Sequence, residues 1–246
     1  MTTAEKLQTA ADNIPKVYEA GKKAEYDKLW VAGMKNVQSR PYANKYAFAG
    51  PFWTDTTFNP NMSLTPNVAE GFFFQSYIVD LNGILERNGV TFDFSHVTHG
   101  ERLAYYSKIR NFPVTDLSSA NNNSGLRAAF SGLTNGDVSL PLILSNSGQQ
   151  TFTNTFDYSE GLTDLVILGG VIGKSINLTW STRLTRESMI SVINALSDTS
   201  EGTTVTLSKT AVDNAFETAS GTSDGSTSEE WLNLIAAKSN WTFSLV

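Results

Sequence analysis

His96 and His99 are the only histidines in this 246-residue chain, and it has no cysteine. A His-x-x-His spacing offers two ring nitrogens to one metal ion. His96, however, lines up with Ser119 when the segments Asp93–Val97 and Asp116–Ala120 are aligned, so it occupies an ordinary variable position and no metal site is expected. Without cysteine there are no disulfides, no thiolate metal sites and no Cys nucleophile. Scarce histidine also leaves few ways to build a nucleophilic triad. Leu168-Gly-Gly-Val-Ile-Gly173-Lys174-Ser175 comes close to a phosphate-binding loop, but Leu168 stands where the first glycine is needed. No helix-forming segment of adequate length follows, since Ile176 to Trp180 begins another repeat, so a turn between coils is expected there. Carboxylate pairs such as Asp157 with Glu160, or Asp80 with Glu86, are the raw material of a glycosidase. Their separation is not written in the sequence, and surface carboxylates are common. The expectation is a protein with no catalytic residues, no metal and no cofactor.

The charge is uneven. The net value is −6, but residues 1–46 hold eight Lys/Arg and five Asp/Glu (+3), which leaves ten basic and nineteen acidic residues (−9) for the rest. An acidic body repels phosphate, so nucleic acid is not an expected partner. Met1-Thr2-Thr3-Ala4-Glu5-Lys6 lacks the apolar core of a secretion signal. No run of about 18 apolar residues is present, so no membrane span is expected.

Four regions follow from the patterning. Residues 1–40 read as helical, with a Thr2/Glu5 capping box. Leu7, Ala11, Ile14 and Tyr18 share one apolar face. That face is the candidate docking or oligomerisation site, and packing against the chain's own body is the alternative. Residues 41–69 read as an irregular aromatic cap: Pro41, Pro51, Pro60 and Pro66 break up a stretch rich in Tyr42, Tyr46, Phe48, Phe52, Trp53 and Phe58. An aromatic binding surface is the alternative there.

Residues 70–208 show internal repetition. Leu103–Ile109 aligns with Leu126–Leu133, and further copies start at Phe152 and Ile176, giving spacings of 23, 26 and 24. Each unit offers an aromatic residue, a nearby serine, and Ile or Leu before a β-prone run such as Leu140–Leu144 or Leu165–Leu168. Such a unit cannot bury its apolar side alone, and stacking would supply a core and a parallel strand ladder. The expected fold is therefore an α+β repeat, a leucine-rich-repeat-like solenoid with a parallel sheet. Ile109, Phe130, Leu133, Phe156, Leu162, Trp180 and Leu184 should point inward. An N-terminal helical segment precedes the repeats and a C-terminal α/β cap (209–246) follows them. Thr185 is expected to cap a helix through Leu196. Thr204–Leu207 and Trp241–Val246 read as strands, Lys209–Phe216 as helix, and Thr218–Thr227 as a polar loop.

The two ends of the chain resemble a family. Ala11-Asp-Asn-Ile-Pro-Lys-Val-Tyr-Glu-Ala-Gly-Lys-Lys-Ala-Glu-Tyr-Asp27 at the start is similar to proteins encoded by tailed bacteriophages and prophages of gut Firmicutes. So is Val205-Thr-Leu-Ser-Lys-Thr-Ala-Val-Asp-Asn-Ala-Phe216, with Glu230-Trp231 and Lys238-Ser-Asn-Trp241, at the finish. Between such ends that family has leucine-rich repeats of the bacterial surface-antigen type. Leu29-Trp30-Val-Ala-Gly-Met34 departs from the family's aromatic and acidic run, and the repeat cores here are irregular. The resemblance implies a virion-located structural protein, in a tail or fibre-like appendage, used for host attachment. The partners it implies are other virion proteins through the N-terminal segment and a bacterial surface receptor, glycan or protein. A homo-oligomer is expected, a trimer by analogy with phage fibres. A bacterial cell-surface adhesin is the alternative, and a glycan-degrading virion enzyme a further one.

Overall fold

The computed structural model describes residues 20–25, 28, 45–121, 125–199, 202–216 and 228–246. Residues 20–25 are helical and exposed. The core is continuous from Ala47 to Trp241.

At one end Phe48, Trp53, Phe58, Phe72, Phe73, Phe92 and Phe94 form a buried cluster. Phe48 meets Phe58 edge-on at 5.2 Å and Phe72 at 5.1 Å, an arrangement favoured by the ring quadrupoles. From this cluster the chain passes through stacked turn segments at 46–50, 71–75, 102–106, 128–132 and 154–158. They are tied by backbone hydrogen bonds: Phe48 N–H to Phe72 C=O, Phe73 to Leu103, Ala104 to Ala129 and Phe130 to Thr155, at 2.7–3.0 Å. Phe48, Phe73, Ala104, Phe130 and Phe156 make an inward column, fully buried. Phe130 stacks on Phe156 at 6.1 Å.

Each of these segments has positive φ at two places four residues apart: Tyr46/Gly50, Gly71/Gln75, Arg102/Tyr106, Ala128/Gly132 and Asn154/Tyr158. Each segment from 71 onward closes tight turns whose third residue is one of these, as Thr155 N–H to Phe152 C=O and Ser159 N–H to Phe156 C=O show. A left-handed L residue costs roughly 1–2 kcal/mol. The inter-segment bonds fix these positions on both sides and hold the conformation against that cost.

The strands β1 (Thr115–Asp116), β2 (Val138–Ile143) and β3 (Leu162–Gly169) form one parallel sheet in that order. β4 (Ile176–Leu178), β5 (Thr203–Leu207) and β6 (Trp241–Leu245) form a second. Helix α1 (Leu81–Asn88) starts at Asp80, whose carboxylate accepts from Gly83 N–H, and ends at left-handed Gly89. Helix α2 (Arg186–Asn194) is capped by Thr185, α3 (Lys209–Ala215) by Ser208 and α4 (Glu229–Ala236) by Ser228.

The expected leucine-rich-repeat-like solenoid, with one parallel sheet along its side, is therefore corrected. The strands divide into two separate three-stranded sheets with short helices among them. The physical reason lies at the outer edge of β3. There α2 takes the place a further strand would need: Ser188 Oγ accepts Leu165 N–H at 2.9 Å, and Ser191 Oγ accepts Ile167 N–H at 2.8 Å. With those donors satisfied by side chains, the ladder cannot extend.

The repeat register is corrected as well. Leu103 C=O and Ala129 C=O accept equivalent bonds, so the local offset is 26 residues rather than the 23 read from Leu103 and Leu126. Ile109, Phe130, Leu133, Phe156, Leu162 and Leu184 are buried as expected, whereas Trp180 is 40% exposed.

Candidate functional site

The turn segments alternate two residues in and two residues out. In one of them Phe152 and Phe156 point to the core, while Thr153–Asn154 and Asp157–Tyr158 are outward, with only Asp157 partly covered. The same alternation in the stacked neighbours gives one outward face with two columns. The first column runs Lys45–Tyr46, Glu70–Gly71, Glu101–Arg102, Arg127–Ala128 and Thr153–Asn154. The second runs Phe74–Gln75, Tyr105–Tyr106, Ser131–Gly132, Asp157–Tyr158 and Thr179–Trp180.

The second column is aromatic. Phe74 lies parallel to Tyr105 at 5.4 Å, and Tyr105 meets Tyr106 at 4.6 Å. Tyr46 joins from the first column, 5.6 Å from Phe74. Further along, Tyr158 and Trp180 lie 4.7 Å apart with their planes at 37°. Two glycines make room for these rings. A Cβ on Gly71 would fall 2.3 Å from the Tyr46 ring, and one on Gly132 would fall 2.7 Å from that of Tyr106. Tyr106 thus lies across Gly132 toward Tyr158. Burial raises the Tyr106 hydroxyl above the usual phenol range, and Tyr105 and Tyr158 add to that. Tyr106, Tyr158 and Trp180 are nonetheless 40%, 48% and 40% exposed. Two groups of half-exposed large rings, Tyr105–Tyr106 and Tyr158–Trp180, separated by the Ser131–Gly132 rung, mark a surface with a use.

The first column changes character along its length. It begins with ion pairs, Lys45 with Glu70 and Glu101 with both Arg102 and Arg127. The Glu70 carboxylate holds the Lys45 ammonium above its usual range. The column ends in neutral Thr153 and Asn154, which border a cleft of about 380 Å³ shared with Ser175, Asn177, Thr204 and Thr206. The cleft forms because β4 and β5 turn their outward residues toward the last turn segment. β4 alternates buried Ile176 and Leu178 with exposed Asn177, and β5 alternates buried Val205 with partly exposed Thr204 and Thr206. Among the described residues Lys174 is the one charged residue lining it. Arg183 pairs with Asp137, 46 residues earlier in the chain. Asp157, beside Tyr158, is pushed above the usual carboxylate range by burial.

The candidate docking residues Leu7, Ala11, Ile14 and Tyr18 lie outside the described residues, as do Thr2 and the loop from 218 to 227. His96 is exposed, and His99 Nδ1 sits 2.9 Å from Thr98 Oγ1. Among the described residues no group of three or more His, Asp or Glu is placed to hold a metal ion. The carboxylate of Asp80 is engaged as a helix cap and in an ion pair with Arg87, and Glu86 accepts from Asn82. The glycine run at 169–173 is a turn between β3 and β4, with Gly170 at positive φ. Among the described residues no helix is long and apolar enough to cross a membrane.

Sequence reasoning missed Tyr158 and Trp180 as surface residues and placed Trp180 in the core. The spacing 105/106, 158, 180 was available, but only the positive φ of Tyr106 and Tyr158 shows that these rings leave the core. Compared with known protein families, with curated proteins and with solved structures, the chain matches none.

Proposed function

We propose that this chain is a non-enzymatic structural protein of a bacteriophage virion, in a tail or fibre-like appendage. It presents its outward aromatic face to a receptor on the bacterial surface. The observation that supports the reading most directly is that Tyr106, Tyr158 and Trp180 are exposed, with half-buried Tyr105 beside Tyr106, and no covering element among the described residues. The resemblance of both chain ends to phage and prophage proteins supplies the virion context. In this reading residues 1–40 dock on other virion proteins or join sister chains, a trimer by analogy with fibres. The basic start (+3) and acidic remainder (−9) fit such a division of labour.

The test is immunogold electron microscopy of intact particles with antibody to the whole protein, beside a chain beginning at residue 41. Label on the tail or its appendages, lost from particles assembled with the shortened but folded chain, is the expected result. Label confined to the bacterial envelope would replace this reading with a cell-surface adhesin. Unfolding of the shortened chain would make residues 1–40 part of the body.

A further inference from the structure

We infer that the part of the face built by Tyr158, Trp180 and the adjoining cleft binds an uncharged polysaccharide, an inference that rests on reading this face as the attachment surface. Tyr158 and Trp180, 4.7 Å apart with their planes at 37°, overlap as a tilted pair whose outer ring surface is about half open to solvent. The apolar C–H face of a pyranose ring is the natural complement of such a shelf. A sugar is equally rich in hydroxyls, and the cleft beside the shelf is lined by groups that both donate and accept hydrogen bonds: the hydroxyls of Thr153, Ser175, Thr204 and Thr206 and the amides of Asn154 and Asn177. Hydrogen-bonding groups therefore border the rings on the side of the cleft.

Charge and shape select among ligands. A polyanion meets Asp157 beside Tyr158 and a chain whose residues 47–246 carry a net charge of −9, with Lys174 the one cation among the described residues lining the cleft. A protein partner needs a patch of roughly 1,000 Å² or more with a wide apolar centre. The Tyr158–Trp180 stretch is only two rings in extent, with the polar cleft beside it. Rungs of stacked backbone are about 4.8 Å apart, comparable with one hexose unit of an extended chain, so successive units would meet successive rungs.

The experiment is electrophoresis of the full chain through native gels containing, in turn, soluble starch, β-1,3-glucan, mannan and dextran, with alginate as the polyanionic arm. Retardation by at least one neutral polymer and none by alginate is expected. Trp180→Ala and Tyr158→Ala should each weaken retardation about tenfold, with unchanged circular dichroism. Trp180→Tyr, which keeps a ring, should retain most of the binding, and Leu232→Ala on the exposed side of α4 should not alter it. Retardation by no neutral polymer, retardation by alginate alone, or retardation indifferent to Trp180→Ala would overturn the inference. Gold label on particles in the absence of polysaccharide binding would sink the ligand class and leave the virion reading standing. Binding by a protein absent from particles would do the reverse.

Discussion

The hydroxyl oxygen of Ser188 on α2 accepts the backbone N–H of Leu165 on β3 at 2.9 Å and sits 3.2 Å from the carbonyl of Thr163. One small side chain thus occupies the place of a strand's donor and acceptor at a buried sheet edge. Ser188→Ala should cost about 1–3 kcal/mol, because Leu165 N–H would be left buried and unpaired. Ser191→Ala, whose partner Ile167 is only partly buried, should cost less. Urea unfolding of the two variants measures both. Equal small losses would mean that apolar packing of α2, not its serines, closes the sheet.

Phe156 is buried against Phe130 in the inward column. Phe156→Ala should destabilise by about 3–5 kcal/mol, the range for an aromatic truncated in a packed core. The segments contact chiefly their neighbours, so hydrogen exchange should rise first between residues 126 and 162. A loss under about 1 kcal/mol would remove Phe156 from the core.

Ser76, Ser107, Ser159 and Ser181 each follow the outward residue of the second column, and all four are buried. Ser159 Oγ lies 2.6 Å from Phe130 C=O, whereas the hydroxyls of Ser76, Ser107 and Ser181 have no hydrogen-bond partner among the described residues. An unpaired buried hydroxyl is unfavourable and a paired one is not. Ser107→Ala should therefore be neutral or stabilising, and Ser159→Ala should cost about 1–2 kcal/mol. Thermal melts that moved the same way for both would contradict this contrast.

Asp157 has its folded pKa raised by burial. Its native state holds the proton more tightly than the unfolded chain does, so its contribution is most favourable below the unfolded carboxylate value, about 3.9. That contribution is lost as pH rises through the folded value. Asp157→Asn should accordingly stabilise at pH 7, by no more than about 1 kcal/mol for a group this exposed. The gain should vanish near pH 3.5, below the unfolded value. A melting-temperature difference that is constant with pH would refute the assignment.

Much of the local structure was legible from residue order alone. Thr185 before Met189, Val192 and Ile193 announces α2 through a cap and a helical stripe. Alternation in Thr203–Leu207 announces β5. These features depend on contacts within a few residues, so the sequence carries them directly. Phe130 and Phe156 of the central column were readable as core because large apolar side chains have few other places to go.

What only the tertiary structure decided is where the chain leaves that pattern. Trp180 is as apolar as Phe156, yet it lies outward because its segment places it level with Tyr158, at the outward corner of the turn. Tyr106 and Tyr158 keep positive φ because bonds from neighbouring segments enforce it. Residue type predicts such a backbone only for glycine. Likewise, Ser188 and Ser191 read as ordinary polar helix residues until the edge of β3 is seen beneath them. One sheet became two because side-chain hydroxyls satisfied its last donors, and that substitution depends on distances between residues some 23 positions apart.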